Sequence, residues 1–473
     1  MNYIFWDIES SGSRTTWDAI VEFGACLTDD RFKELDRFNF RCRLKPTVIP
    51  DIGALLVNKS SVEMLKNSNL SHYQMVQEVS KKFSSWSPAI FASYNGISFD
   101  EEFWRKTLFK SLMPNIYQTN TNGSKRIDIL NVARAAKLIN DDAIKTTISD
   151  KGNPVFKLDQ LSVANGIEHK DAHTAFSDSL ATKSIAEIIY KKVNSVWQSS
   201  LKTISKSETE EYIENNKIFS SIEYFYGKAR VYLCTHLLYH PSWKWSICFD
   251  LKNHPKDYIN LSRADLKDAM KKSPKILRTI KTNKSPVILD EKAGIKEEPY
   301  NKIGLDDLNK RIELLKNNPK FIENISSILR DEAEEKQSID QTDLYPEETI
   351  YSGGFASDKD KNLMKKFHES DWKNKLNFID KFENPNNSYF AKVLIYEESP
   401  DVLSKEMYNE IHREFAERLL STNSEKWATT SKFYSELDYL REKYTKAKDA
   451  GRLKLLDGYN QYVMDIQKKF ENA

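Results

Sequence analysis

Tyr3-Ile-Phe-Trp-Asp-Ile-Glu9 is the stretch of sequence that decides the fold. Its apolar residues predict a short buried strand, Tyr3–Ile8, that ends in carboxylates. Residues two apart on a strand face the same side, so Asp7 and Glu9 project together while Ile8 packs behind them. The two carboxylates repel each other and lose hydration, and a divalent cation relieves both costs. Alone, the pair is more typical of a solvated strand end than of a metal site.

Two further acids change this interpretation. Asp100 follows a predicted buried strand, Ala89–Tyr94, and a turn at Asn95-Gly96, and by itself it is typical of a helix N-cap. Asp178 stands five residues after His173 in a predicted amphipathic helix, and by itself His173 is more typical of a structural histidine. In this order, however, the set reads D-x-E, then Asn-x-x-x-Phe-Asp, then His-x4-Asp. We therefore interpret the acids as one metal-binding cluster.

The chemistry of phosphodiester hydrolysis explains these residue types. The reaction needs a neutralised phosphate oxygen, hydroxide near neutral pH and a stabilised 3′ oxyanion, and two Mg²⁺ ions ~3.5–4 Å apart supply all three. Mg²⁺ prefers oxygen ligands and takes only a few carboxylates, and Mn²⁺ is expected to substitute for it. The predicted ligands are Asp7, Glu9, Asp100 and Asp178. Asp7 is the candidate to bridge both ions, and His173 is the candidate general base for the attacking water.

Three segments of the chain differ in their predicted secondary structure. Residues 1–194 alternate strands and helices, which is typical of a mixed α/β sheet flanked by helices. Residues 195–349 contain aromatic strands that predict a small β-barrel decorated by helices, and Asp331–Asp343 predicts a linker or surface loop. Residues 350–473 predict an all-α segment. The predicted strands are Tyr3–Ile8, Ile20–Thr28, Phe38–Leu44, Ala89–Tyr94, Ile222–Phe225, Ala229–Leu238 and Trp243–Leu251. The predicted helices are Asp100–Leu112, Ile129–Ile139, Thr174–Val193, Asp306–Leu315, Lys320–Leu329, Asp358–Glu369, Ser404–Leu420, Thr430–Ala447 and Arg452–Asn472.

Composition indicates the class of protein and its compartment. A chain of 473 residues, 40% hydrophobic and 30% charged, is typical of a soluble globular protein with several domains. No apolar run is long enough to span a membrane, and Met1–Gly12 shows no secretory signal. The cysteines form no C-x-x-C pair, which predicts buried, reduced thiols and a bacterial-type cytoplasm. They are Cys26, Cys42, Cys234 and Cys248.

Taken together, the motifs resemble the bacterial exodeoxyribonuclease I family, in the DEDDh branch of the ribonuclease-H-like superfamily. The similar stretches also include Arg126-Ile-Asp-Ile-Leu130, Ala164-Asn-Gly-Ile-Glu-His169, Tyr239-His-Pro241, Asn283-Lys-Ser-Pro-Val287 and Gly354-Phe-Ala-Ser-Asp358. The last three lie outside residues 1–194. The resemblance therefore covers nearly the whole chain and favours this family over shorter proofreading subunits.

The resemblance implies a ribonuclease-H-like exonuclease domain (1–194), a Src-homology-like β-barrel domain with helices (195–349) and a helical C-terminal domain (350–473), which form a C-shaped clamp. It implies a Mg²⁺-dependent enzyme that degrades single-stranded DNA processively from 3′ to 5′, releases 5′-mononucleotides and serves DNA repair and recombination. It also implies binding to the acidic tail of single-stranded-DNA-binding protein, although Asn140 stands where a basic residue for that tail is expected. We expect a monomer without membrane contacts.

Contacts with a single strand require cations along the phosphates and aromatic rings against the bases. The candidates are Glu9, Phe99, Trp104, Arg134, Lys157, Lys228 and Lys284, with Trp104 or Phe99 stacking on bases. Between Arg263 and Lys284, eight Lys and Arg residues stand against two Asp residues. Such a run is more often a solvated face than a binding site, but it is also a candidate for part of the path of the strand.

Two rival interpretations stay open. The first is a general DEDDh exoribonuclease or proofreading module, against which the long extension beyond residue 194 argues. The second is a catalytically silent DNA-binding or scaffold protein that kept the fold, against which the presence of all five active-site residues argues.

Overall fold

A five-stranded mixed sheet places the predicted acids at one edge. The computed structural model describes residues 1–169, 172–339 and 344–473, without the side chains of 337–339. The strand order is β3-β2-β1-β4-β5, with β1 antiparallel to β2 and parallel to β4. The strands are β1 Tyr3–Ser10, β2 Ile20–Thr28, β3 Glu34–Arg41, β4 Ile90–Ser93 and β5 Lys125–Asp128. Because β1, β4 and β5 are parallel, their carboxyl ends and the loops that follow them meet at the same edge.

Two apolar cores cover the two faces of this sheet, as the alternation of β1 requires. Ile4 and Trp6 pack into one core, and Tyr3 and Phe5 pack into the other. Asp7 continues the face of Phe5, which is covered by later helices. The helices of this part are α1 Ile52–Val57, α2 Val62–Asn67, α3 His72–Trp86, α4 Asp100–Lys110, α5 Ile129–Ile139, α6 Leu158–Ala164, α7 Ala175–Lys192, α8 Asn194–Ser200 and α9 Lys206–Asn215. A small hairpin pairs β6 Thr147–Ile148 with β7 Pro154–Val155.

The second sheet is antiparallel and open, which corrects the prediction of a barrel. Its strands are β8 Phe219–Phe225, β9 Lys228–Tyr239, β10 Ser246–Asp250, β11 Leu277–Ile280 and β12 Ile288–Leu289, in the order β11-β10-β9-β8-β12. Among the described residues no ladder joins the end strands β11 and β12. The helices here are α10 Arg263–Lys271, α11 Glu291–Gly294, α12 Tyr300–Ile303, α13 Leu305–Lys316 and α14 Pro319–Ile339. The linker predicted over Asp331–Asp343 is wrong as far as Ile339, and residues 340–343 lie outside the described residues.

The remainder is helical, as predicted, and it shares a core with the first sheet. Its helices are α15 Asp358–Glu369, α16 Trp372–Lys375, α17 Pro385–Glu398, α18 Lys405–Leu420, α19 Thr430–Lys446 and α20 Ala450–Phe470. Short 3-10 helices lie at Pro255–Asp257, Pro346–Tyr351, Leu376–Lys381 and Pro400–Val402. Val21 and Leu55 belong to the same apolar cluster as Phe415 and Leu456. All four cysteines are free and buried, as predicted. In the part of the chain that the structure describes, no helix has the length and apolar character needed to cross a membrane.

Candidate active site

Three of the predicted acids converge where α7 crosses the end of β1. Asp7 and Glu9 stand on β1 with Ile8 buried between them, and Asp178 lies in the first turn of α7. Carboxylate oxygens of Asp7, Glu9 and Asp178 all lie within 4.8 Å of one another. Three hard oxygen donors at this separation fit a Mg²⁺ ion, which prefers such ligands. The structure therefore brings together three of the four predicted ligands.

A glycine on the neighbouring strand allows α7 to come this close. Gly24 pairs with Asp7 across the β1–β2 ladder. A Cβ atom built on Gly24 would lie 2.2 Å from the backbone nitrogen of Phe176 and 2.4 Å from its Cα. Only a residue without a side chain leaves room for the start of α7 at this position. Gly24 thus determines how near Asp178 lies to the acids of β1.

The fourth acid, Asp100, faces the same cluster from the start of α4. Its side chain is buried, and its charge raises the pKa of Asp7. Asp100 is not part of the group whose oxygens lie within 4.8 Å of one another. It is positioned by the turn at Asn95 and Gly96, where the backbone of Asn95 adopts a φ of 63°. A Cβ atom on Gly96 would lie 2.8 Å from an Asp100 carboxylate oxygen, so the turn packs directly against this acid.

Burial and mutual repulsion raise the pKa values of the acids. Burial, followed by the charges of Asp178 and Glu22, raises the pKa of Glu9 to about 9. Burial, together with Asp128 and Asp178, raises the pKa of Asp100 to about 7. The pKa of Asp7 lies well above its usual range, mainly because of burial and then Asp100. Like charges in a desolvated site disfavour ionisation, so this cluster favours a bound cation.

Two histidines, not one, accompany Asp178. His169 Nε2 lies 2.6 Å from Asp178 Oδ1, and the His169 side chain is 1% exposed. The predicted base, His173, contacts the same oxygen through its backbone nitrogen at 3.3 Å, and its φ of 66° is uncommon for a residue other than glycine. Sequence reasoning missed the contact of His169, which it noted only as part of a family stretch. Residues 170 and 171, between the two histidines, lie outside the described residues.

A second missed residue is Asp128, the N-cap of α5. Asp128 Oδ1 accepts hydrogen bonds from the backbone nitrogen of Asn95 at 2.9 Å and from that of Leu130 at 3.1 Å. Burial raises the pKa of this carboxyl to about 6. Asp128 therefore ties the turn before Asp100 to the start of α5. Its sequence signals were its place in Arg126-Ile-Asp-Ile-Leu130 and its position directly before the predicted helix Ile129–Ile139, where an Asp is typical of an N-cap.

Two clefts meet at the acids. The first is lined by His169, His173 and Asp178 together with Arg134 and Lys157, two of the predicted phosphate contacts. It is also lined by the aromatic residues Tyr94, Phe156 and Tyr224.

The second cleft runs from Glu9 and Phe99 to Lys432 and Glu436 of α19. Val57 lines both clefts, so they adjoin. This arrangement suits an extended chain that passes the acids.

Three other predicted DNA contacts lie elsewhere. Trp104 is 1% exposed, and its ring lies 5.0 Å from that of Phe23 in the core, so the prediction that it stacks on a base is wrong. Lys284 Nζ donates to the carbonyl of Ile97 at 3.3 Å and so supports the loop before Asp100, with burial lowering its pKa. Lys228 is exposed at the first position of β9.

The basic run does not form one surface. Arg278 is buried and pairs with Asp250 and Glu223, each at 3.3 Å. Lys275 Nζ donates to the carbonyl of Lys271 at 2.9 Å and thereby caps α10. The run is therefore partly structural.

Comparisons with known proteins agree with this fold. Residues 344–466 match the family model described as the Exonuclease I C-terminal domain. Exodeoxyribonuclease I of Buchnera aphidicola subsp. Acyrthosiphon pisum is 27% identical over 385 residues, 78% of this chain and 90% of that protein.

Solved structures match nearly the whole chain. E. coli exonuclease I in complex with a dA16 oligonucleotide superposes with a TM-score of 0.82 at 19% identity, over 98% of this chain and 99% of that one. A structure of SSB/exonuclease I in complex with inhibitor CFAM gives a TM-score of 0.81 at 20% identity, with the same coverage. The resemblance found in the sequence is confirmed: this chain is similar over most of its length to proteins named exodeoxyribonuclease I.

Proposed function

We propose that this chain is a Mg²⁺-dependent exodeoxyribonuclease that removes 5′-mononucleotides one at a time from the 3′ end of single-stranded DNA. The observation that carries the proposal is the convergence of Asp7, Glu9 and Asp178 within 4.8 Å at the junction of two clefts. The relation to a protein solved with a dA16 oligonucleotide supports the substrate class. We further propose that the enzyme acts processively in DNA repair and recombination.

The donor set fits the implied metal. Asp7, Glu9 and Asp178 offer oxygen ligands, and Asp100 faces them. We propose that these residues hold two Mg²⁺ ions, with Mn²⁺ able to replace them. When bound, the ions neutralise charge on the phosphate and lower the pKa of a water molecule. The raised pKa values of the acids support this, because a cation removes the repulsion that produces them.

We propose different roles for His173 and His169. His173 lines the cleft beside Asp178, and we propose that its imidazole accepts the proton of the attacking water. His169 is buried against the Asp178 carboxylate at 2.6 Å. We propose that this contact orients Asp178 toward Asp7 and Glu9, in the way that outer partners orient metal ligands.

The clefts supply contacts for the strand. We propose that Arg134 and Lys157 contact phosphates beside His173, since both line that cleft. Phe99 lines the second cleft with Glu9 and is half-buried, so we propose that it packs against the 3′-terminal nucleotide. Lys228 is exposed at the start of β9, in the hairpin whose Tyr224 lines the first cleft, and we propose that it contacts a phosphate further along the strand.

At the scale of domains, we propose an exonuclease domain (1–194), a Src-homology-like domain (195–349) and a helical domain (350–473) that form a clamp around the strand. We also propose a monomer that works in the cytoplasm and binds the acidic tail of single-stranded-DNA-binding protein. The structure of SSB/exonuclease I supports that partner.

The test compares labelled strands. A 3′-labelled single-stranded DNA should release its label as a mononucleotide at once, whereas a 5′-labelled strand should release its label only at the end of digestion. EDTA should abolish both reactions. Release of the 5′ label first would refute the polarity.

The nearest rival is an exoribonuclease of the same superfamily. A single-stranded RNA of the same sequence, assayed beside the DNA, separates the two functions. Our proposal expects DNA to be the better substrate. Faster release from RNA would favour the rival.

A further inference from the structure

The tip of the β8–β9 hairpin carries an unusual residue. Phe225 pairs with Lys228, so Tyr226 and Gly227 form a two-residue loop. Their φ angles are 52° and 79°, both in the left-handed region. Such loops favour Asn-Gly, because a bulky side chain is strained at positive φ. Tyr226 thus stands where a smaller polar residue would fold better.

The ring of Tyr226 is open to solvent. The residue is 94% exposed, and Phe225 beside it is 45% exposed. Strained backbone conformations cluster at functional sites. Two neighbouring exposed aromatic side chains on a rigid turn also form a surface suited to stacking.

The hairpin leads directly from the active-site cleft. Tyr224, which lies on β8 two residues before Tyr226, lines that cleft with His173. The Arg134 guanidinium lies 3.8 Å from the centre of the Tyr224 ring. On the other side of the tip, Asn153 Nδ2 lies 3.5 Å from the Tyr226 carbonyl. The tip therefore rests on the β6–β7 hairpin, which leads into Phe156 and Lys157 of the cleft.

Basic residues outnumber acidic ones along the cleft beside the exposed rings. Lys228 is exposed next to the loop, and Arg230 Nη1 donates to the Phe225 carbonyl at 2.7 Å, which stiffens the turn. Arg230, Lys252 and Lys275 line a cleft together with Phe225 and Tyr226. Glu297 and Glu298 line the same cleft.

Interleaved cations and aromatic rings are the usual features of surfaces that bind single strands without sequence preference.

We propose that Tyr226 stacks on a base of the single strand where the strand leaves the active-site cleft, as the first contact outside that cleft. The inference rests on the proposed function, which supplies the strand. It adds a binding contact that is separate from the residues that perform the hydrolysis. Its place is continuous with the cleft through Tyr224, and its charge environment suits phosphates.

The test uses the full chain with Asp178→Asn, so that binding is measured without cleavage. Tyr226→Asn removes the ring and keeps a favoured turn, and Tyr226→Phe is the matched control that keeps the ring. Oligonucleotides of increasing length carry 2-aminopurine at successive positions from the 3′ end. We expect Tyr226→Asn to weaken binding of the longer strands by about 5- to 150-fold and to abolish quenching at one position. Tyr226→Phe should bind and quench like its parent.

The thermal stability of Tyr226→Asn and the dependence of binding on strand length distinguish a binding role of Tyr226 from a structural one. Tyr226→Asn should unfold at the same temperature as its parent or higher, because Asn-Gly suits the loop. The binding defect should appear only for strands long enough to reach the tip. Unchanged affinity and quenching in Tyr226→Asn, or an equal loss in Tyr226→Phe, would overturn the inference while wild-type cleavage still supports the proposed function. If the wild-type chain neither binds nor cleaves single strands, the inference on Tyr226 and the proposed function are both wrong.

Discussion

At the residue scale, the acidic cluster could be predicted because metal-dependent hydrolysis requires particular residue types at particular spacings. Asp7, Glu9 and Asp178 meet as expected, and Asp100 faces them. The contact of His169 could not be read from the sequence, because it depends on how the chain before α7 folds back. For Trp104 the sequence predicted a DNA contact that the structure contradicts. Its proximity in sequence to Asp100 suggested a stacking role, but its position on α4 turns it into the core.

The two histidines should respond differently to substitution. His173→Ala is expected to slow hydrolysis by ~10²–10⁴-fold with little change in the Mg²⁺ requirement, because a general base is lost and the ligands remain. His169→Ala should instead raise the Mg²⁺ concentration needed for half-maximal rate by roughly 10–100-fold, because the orientation of Asp178 is lost. The measurement is a Mg²⁺ titration of each variant. If high Mg²⁺ restores His173→Ala but not His169→Ala, the two roles must be exchanged.

The raised pKa values predict how the metal-free protein responds to pH. In the folded state the pKa of Asp100 is raised to about 7 and that of Glu9 to about 9. In the unfolded chain both carboxyl groups have their ordinary pKa values. Their folded pKa values are raised, so the stability they contribute is present at low pH and is lost as pH rises through these values. In EDTA, the melting temperature should therefore fall between pH 6 and 9.

Saturating Mg²⁺ should remove this dependence, since bound cations favour the ionised acids. Glu9→Gln provides the control, because it deletes the group with the pKa of about 9 and should flatten the upper part of the curve. A metal-free melting temperature that rises from pH 6 to pH 9 would contradict the proposed repulsion.

At the element scale, the sequence pattern identified several elements with their bounds, and it missed or misassigned others. The bounds of Ile20–Thr28, Ile129–Ile139 and Asp358–Glu369 agree with prediction. The helix Pro385–Glu398 was missed because most of its residues from 387 to 396 are buried, which leaves little polar face to reveal a period. Asp331–Ile339 was mistaken for a linker because it is acidic, although Ala, Glu, Lys and Gln are good helix formers.

His72–Trp86 was missed although its signals are in the sequence. It has a capping box between Ser71 and Gln74 and buries residues at helical spacing. Tertiary pairing, by contrast, decides whether the second sheet closes. The strands predict that sheet, but the absence of a ladder between β11 and β12 among the described residues could not be derived from them.

Gly24 offers a test of how elements position the site. Gly24→Ala should push α7 away from β2, because the new methyl group meets the Phe176 backbone at 2.2 Å. We expect a loss of about 1–3 kcal/mol in the free energy of unfolding, as for other overpacked sites, and a slower rate because Asp178 moves.

Gly451→Ala is the matched control, since its nearest contact would be at 3.6 Å. Denaturant unfolding and the hydrolysis rate are measured on both. Equal stability and rate in Gly24→Ala and wild type would show that α7 does not depend on this close approach.

At the scale of the whole molecule, the helical C-terminal part is packed into a core that it shares with the first part of the chain. Its residues Phe415, Leu437 and Leu456 share one apolar cluster with Val21 and Leu55 of the first part. Thr47 and Lys45 also contact Glu397 of α17, the latter at 3.0 Å. Removing the C-terminal part would expose this surface, at a cost of about 25 cal/mol per Å² of apolar area.

A chain that ends at residue 349 should therefore fail to fold cooperatively. We expect it to lack a sharp unfolding transition and to bind a hydrophobic dye such as ANS, as loosely packed states do. Circular dichroism during thermal unfolding is the measurement, with the full chain as the control. A truncated chain that unfolds as sharply as the full chain and still hydrolyses short oligonucleotides would show that the shared core is dispensable.

The central claim is that the acids of β1 and α7 hold the metal that drives hydrolysis. The most direct measurement is the rate of mononucleotide release from 3′-labelled single-stranded DNA in saturating Mg²⁺, for wild type, Asp7→Asn and Asp178→Asn. Each variant should be slower by at least ~10³-fold, because each removes charge from the cluster that stabilises the transition state. Each should also remain folded, since removing one charge relieves repulsion. If either variant keeps more than a tenth of the wild-type rate, the assignment of the site is wrong.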